Sequence, residues 1–146
     1  MKYDLNDADV REALEHAFFN SWSQETLRRG DKKEWDPRNP ARHQCYISSA
    51  VVYGLTGALV YVCPVIDKKT GKPTRLLHCY NSTSENFQEE FFDVTRSQFP
   101  FLTYRSDYSK AKLEKNPKQM KRKIGKRFDI LFKKVKCNLE RILRQG

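Results

Sequence analysis

Between Cys45 and Asn81 the sequence leaves little choice of architecture. The run Tyr46 to Tyr53 is apolar on nearly all sides and carries Ser48, Ser49 and Ala50 for close packing, so it predicts a buried helix ended by Gly54 or Gly57. Ala58 to Ile66 is rich in Val, Leu and Tyr and predicts a strand. Asp67 to Pro73, with Gly71 and Pro73, predicts a turn, and Thr74 to Asn81 the returning strand. A third strand, roughly Glu89 to Thr95, extends the sheet, and Thr95 to Phe99 begins a turn that Pro100 closes. A buried helix leading straight into antiparallel strands predicts an α+β fold.

The flanks complete that layout within one domain, which is what 146 residues accommodate. Val10, Leu14, Ala17 and Phe18 recur at helical steps and predict an amphipathic helix over Asn6 to Trp22. Ser23 to Arg29 predicts a short second helix with Ser23 as its cap and Gly30 as its stop. Pro37 and Pro40 then force a loop that delivers the chain to His43, Gln44 and Cys45. Residues 1–57 therefore form a helical part and 58–99 the strands. In the basic part, 109–145, Ser109 to Glu114 predicts a short helix. A long amphipathic helix follows, capped by Asn116 with Pro117 in its first position. Met120, Ile124, Phe128, Leu131, Val135, Leu139 and Ile142 line its inner face.

Charge is segregated. The chain carries +10 overall, yet residues 110–146 alone hold 14 Lys and Arg against 3 Asp and Glu. Lys121, Lys126, Lys133, Lys134 and Lys136 on the outer face of the last helix are candidates for binding a polyanion, nucleic acid or an acidic protein. No apolar run is long enough to span a membrane, and the acidic residues near the start are unlike a secretory leader, so a cytoplasmic protein is expected. Cys45, Cys63, Cys79 and Cys137 are expected to be free thiols, since no Cys-x-x-Cys pair or compact four-ligand set exists; no metal or cofactor is expected.

One cysteine stands where its reactivity can be raised. Cys45 falls between a proline-rich loop and a buried helix, where unpaired N–H groups and the helix dipole favour thiolate. His78 lies inside a strand, an uncommon place for an imidazole without a polar partner, and Asp93 ends the next strand. Neighbouring strands can join these as nucleophile, base and orienting carboxylate. Asn81 is the alternative third member, but three residues along a strand it faces away from His78. Asp93 alone is equally well explained as a turn-initiating residue capping Thr95 or Arg96. The Gln44 amide and the Cys45 backbone N–H are candidate oxyanion donors. His16 and His43 are weaker candidates as bases, and Trp22 and Trp35 read as core anchors.

The order of these features resembles a known family. Trp22, Glu25-Thr26, Trp35, Pro40, Gln44-Cys45, His78-Cys79-Tyr80-Asn81, the run Phe92 to Phe99, Asn116-Pro117 and the run Arg127 to Leu131 are similar to the YunG-like family of small bacterial and phage proteins. The Cys45 segment and Phe92 to Phe99 are its most specific parts. Two positions depart from the family pattern: His43 stands where a glycine is expected, and Cys79 to Asn81 lacks a tryptophan. The resemblance implies a papain-like arrangement similar to that of NlpC/P60 peptidases and transglutaminases. It therefore implies a thiol hydrolase or acyltransferase acting on an amide, ester or thioester. The competing expectation is a non-catalytic binding protein, such as a phage-borne inhibitor of a host system, acting through the basic helix. A steep loss of affinity with salt would mark nucleic-acid binding.

Overall fold

The computed structural model describes residues 2–84 and 91–145. Helix α1 (Ala8–Phe19) starts at Asp7, whose side chain accepts the Asp9 N–H, and buries Val10, Ala13, Leu14, Ala17 and Phe18. This is the 3.6-residue stripe of the sequence made into one face of the core. Helix α2 (Cys45–Thr56) is buried along most of its length. It ends at Gly57, which adopts φ 76° and returns its N–H to Tyr53. A Gly57→Ala substitution forces a side chain into that left-handed turn and is expected to cost about 1 kcal/mol, readable as a lower denaturation midpoint.

Strands β1 (Leu59–Asp67) and β2 (Pro73–Ser82) form the antiparallel hairpin, in register Leu59 opposite Ser82 through Pro64 opposite Leu77. Strand β3 (Phe91–Phe92) pairs with the far edge of β2, while β4 (Tyr104–Ser106) and β5 (Lys112–Leu113) share the far edge of β1. The two faces of the sheet bury different things. On one, α1, α2 and α4 (Lys126–Gln145) enclose the main core with Ala58, Val60 and Phe92. On the other, Tyr61, Cys63 and Tyr80 form a second cluster against Phe91, Tyr108 and Ala111.

Several expectations required correction. The helix expected over Ser23 to Arg29 is two 3₁₀ segments, Gln24–Thr26 and Arg29–Glu34, so Gly30 sits within a turn and stops nothing. Ser23 does cap the first segment, in a reciprocal box with Thr26. The third strand is only Phe91–Phe92 among the described residues; Glu89 and Glu90 lie outside them, and Arg96–Phe101 winds into a 3₁₀ helix. Ser109 to Glu114 is not helical: after a 3₁₀ turn at Tyr108–Lys110 its backbone pairs with the open edge of β1, and the Glu114 N–H reaches Val60 O at 2.8 Å. Tyr104–Ser106 is a strand that short, polar sequence did not reveal.

The C-terminal helix is two helices. Pro117 occupies the cap position rather than the first turn, α3 runs Lys118–Ile124, and Gly125 at φ 74°, ψ −137° breaks the axis before α4. Only glycine adopts that conformation readily, so the break is written into the sequence at one position. The apolar stripe nevertheless continues across it: Met120, Ile124, Phe128, Leu131, Val135 and Leu139 are all buried. Gly54 lies inside α2 rather than ending it, and a β-carbon there would meet the Phe132 ring at 3.1 Å, so the glycine admits α4 to close contact. Among the described residues no helix is long and apolar enough to cross a membrane.

Candidate functional site

The loop before Cys45 is fixed by its own backbone. Asn39 N–H returns to Asp36 O and Gln44 N–H to Ala41 O, while the Asn39 side chain donates to Gln98 O. His43 makes the final reversal at φ 64°, a left-handed conformation that favours glycine. That explains why a glycine is the expected residue here. Helix α2 therefore begins at Cys45, a residue of intermediate exposure, and its thiol belongs to the first turn.

Two polar ties fix α2 against its neighbours. Trp22 donates its indole N–H to Ser48 Oγ at 2.9 Å, and Asn81 donates its side-chain amide to Ser49 O at 3.1 Å. Both donors are buried, so losing either acceptor geometry would strand a polar group in the core. Trp22 is thus the core anchor expected of it, and Asn81 serves the helix rather than His78.

His78 is buried and hydrogen-bonds through Nε2 to Asp93 Oδ2 at 2.7 Å. The Asp93 side chain is fully removed from solvent, just beyond β3. The same oxygen accepts the Tyr108 hydroxyl, and Thr95 Oγ1 lies 3.5 Å from Oδ1. Phe99 meets the imidazole edge-on with ring centroids 4.8 Å apart, and Tyr80 and Tyr108 complete an aromatic wall. The ring is held by contacts on several sides, and with Nε2 taken by Asp93 its Nδ1 is the nitrogen left for another partner.

Cys45 adjoins both His78 and Cys79. Hydrogen bonding from the Cys79 thiol holds the Cys45 thiol well below its ordinary range; burial opposes this, and the hydrogen bond and positive charge of His78 and the Cys79 backbone reinforce it. For His78, burial disfavours the charged ring, but the Asp93 hydrogen bond and then Cys45 outweigh it and push its pKa up to about 10. The directions agree: sulfur negative, imidazole positive. The other thiols differ. Cys79 is driven upward, first by Cys45 and then by burial, and burial pushes Cys63 up to about 12. Cys137 is exposed on α4.

The structure thus brings Cys45, His78 and Asp93 together and adds Tyr108, which sequence reasoning missed because a lone tyrosine in a polar segment carries no periodic or motif signal. Cys79 was missed as a neighbour of Cys45 because strand alternation alone does not say where a helix terminus will lie. Gln44 requires correction as an oxyanion donor. It is fully buried and turned toward the Ser23 turn, donating to Ser23 O at 3.2 Å and accepting from Thr26 at 2.9 Å. Its role is to pin the start of α2, and it does not cap the helix with its side chain.

The remaining candidates lie elsewhere. His16 is exposed on α1, and His43 pairs with Glu34. Asp31, Glu34 and His43 place three donor atoms within 4.8 Å of one another, but Arg28 already meets Asp31 and Arg42 meets Glu34. Lys121, Lys126, Lys133 and Lys136 are exposed; Lys134 is partly buried and 3.5 Å from Glu25. On α4, Lys126 and Lys133 oppose the buried stripe, and by helical spacing Asp129 and Glu140 fall on the same side. The outer face therefore mixes signs.

No curated protein and no solved structure matches the chain significantly. The family model described as YunG protein matches residues 10–140, a span that takes in most of α1, the Cys45 helix, the whole sheet and most of α4, and the chain accordingly belongs to the YunG family.

Proposed function

We propose that this protein is a thiol hydrolase or acyltransferase of papain-like logic, acting on an amide, ester or thioester. The observation that supports it is the buried His78–Asp93 hydrogen bond of 2.7 Å beside a half-buried cysteine at a helix N-terminus. In this reading the Cys45 sulfur attacks the carbonyl carbon and forms the S–C bond. Protonated His78 gives its proton to the departing amine, alcohol or thiol as the bond to that group breaks. Water, or an acceptor nucleophile, then attacks the acyl-enzyme; His78 takes its proton and the S–C bond breaks.

Asp93 holds His78 in one tautomer and balances its charge, and Tyr108 positions Asp93 through the shared oxygen. With Gln44 engaged elsewhere, the oxyanion falls to the backbone N–H of Cys45 and the field of α2. The pocket wall of Phe99, Tyr80 and Tyr108 keeps water from the imidazole and strengthens its interactions.

The test is capture of the acyl-enzyme. Incubation with a panel of activated esters, thioesters and anilides, followed by intact-mass and peptide mapping, is expected to show an acyl group on Cys45. Cys45→Ala is expected to show none and to lose turnover by about 1,000-fold or more. Acylation that falls equally on the exposed Cys137, or turnover that survives Cys45→Ala, would refute the reading.

A further inference from the structure

The acyl-transfer reading gives Cys79 no step of its own, yet its thiol adjoins the nucleophile. We propose that Cys45 and Cys79 form a reversible dithiol–disulfide pair, oxidised by a hydroperoxide, in which Cys79 is the resolving thiol.

The placement follows from how α2 lies on β2. Cys45 adjoins Cys79 at one end of the contact, and four residues on along the helix Ser49 O receives the Asn81 amide, two residues on along the strand. Four helical residues advance about 6 Å and two strand residues about 6.6 Å, so helix and strand run in step and the two sulfurs share a rung. Cys63 is placed differently. It stands opposite His78 in the register and packs with Tyr80 and Tyr61 on the other face of the sheet. Residue Cys45 is intermediate in exposure at the start of α2, whereas Cys79 lies within β2 and is 5% exposed. Cys45, the ionised thiol of the pair, reacts with the peroxide, and Cys79 then meets only what Cys45 has become.

The chemistry balances in two steps. The Cys45 thiolate attacks one peroxide oxygen, the O–O bond breaks, and the alcohol or water formed takes its proton from His78; sulfur is oxidised to the sulfenic acid and the peroxide is reduced. The Cys79 sulfur then attacks the Cys45 sulfur, the S–O bond breaks, and hydroxide leaves as water with the Cys79 proton. The disulfide removes the nucleophile while shielding it from irreversible oxidation, and a dithiol reductant restores both thiols. The opposite pKa directions of the two thiols suit these roles, an ionised attacker and a protonated reserve.

This inference rests with the acyl-transfer reading on a reactive Cys45, and one experiment separates them. The full chain is treated with hydrogen peroxide, remaining thiols are capped with a maleimide, and the protein is mapped by mass spectrometry. Wild type is expected to lose two hydrogens and two maleimide sites and to yield a linked Cys45–Cys79 peptide that dithiothreitol reverses. Cys79→Ser, with Cys79→Ala as a second variant should serine disturb packing, is expected to raise dimedone-trapped sulfenic acid at Cys45 about tenfold and then to over-oxidise. Over-oxidised Cys45 in wild type without a linked peptide, or a Cys79 variant indistinguishable from wild type, would overturn the proposal. A linked peptide in a protein that never acylates Cys45 refutes acyl transfer alone; an acyl-enzyme without a linked peptide refutes the dithiol pair alone.

Discussion

Asp93→Ala is expected to lower stability by about 3 kcal/mol, because it strands the buried His78 and removes the acceptor of the partly buried Tyr108 at once. The His78 imidazole loses its 2.7 Å partner where water cannot take over, and the Tyr108 hydroxyl loses its acceptor. Chemical denaturation is the measurement, and a loss below about 1 kcal/mol would show that the carboxylate is not the hub the geometry makes it. The pH dependence has a definite sign. His78 has its native pKa raised, so its contribution is fully present below about 6.5, the unfolded value, and is lost as pH rises through about 10. Cys45 is depressed, so its contribution is present above about 8.5 and is lost as pH falls through its native value. Together they give wild type a plateau of stability between about pH 6.5 and 8.5, falling on both sides, and Asp93→Ala should flatten the alkaline fall.

The second large effect is in reactivity. A thiol with the pKa of free cysteine loses roughly 80-fold of its thiolate between pH 8 and pH 6. Cys45, held well below its ordinary range, is expected to slow far less with iodoacetamide between the two values than N-acetylcysteine in the same tube, which slows by roughly 80-fold. Peptide mapping assigns the label to Cys45 and separates it from the exposed Cys137. His78→Ala should restore part of the pH dependence by removing the hydrogen bond and positive charge that reinforce the Cys79 contact. A Cys45 rate that tracks N-acetylcysteine would mean that the sulfur is a protonated, structural thiol.

Local rules made most of this architecture legible. The helix at Tyr46 to Tyr53, the hairpin around Gly71 and the stripe from Met120 to Leu139 each carry a period that only one kind of element satisfies. So did the meeting of His78 with Asp93, since both sit on predicted neighbouring strands. What escaped was set by distant contacts. Lys112–Leu113 is a strand only because β1 offers an open edge, and Gln44 turns from solvent because Ser23 and Thr26 wait 18 to 21 residues upstream. Tyr108 reaches Asp93 across 15 residues from a segment with no pattern of its own. At Gly125 the apolar stripe continues in phase across the break, so periodicity alone does not reveal the broken axis.

The packing of α1 on α4 ties the two ends of the chain together, with Asn138 reaching Ser21 across 117 residues at 2.8 Å. Synthesis produces α1 well before α4, so the apolar face of α1 waits uncovered until the residues that pack on it, 117 positions later at Asn138, have been made. Contacts of that separation place the protein among slow folders for its size, and they make closure of the core a late event. Cys45, His78 and Asp93 all fall between these two helices in sequence, so the core that carries them closes only after every one of them has been made.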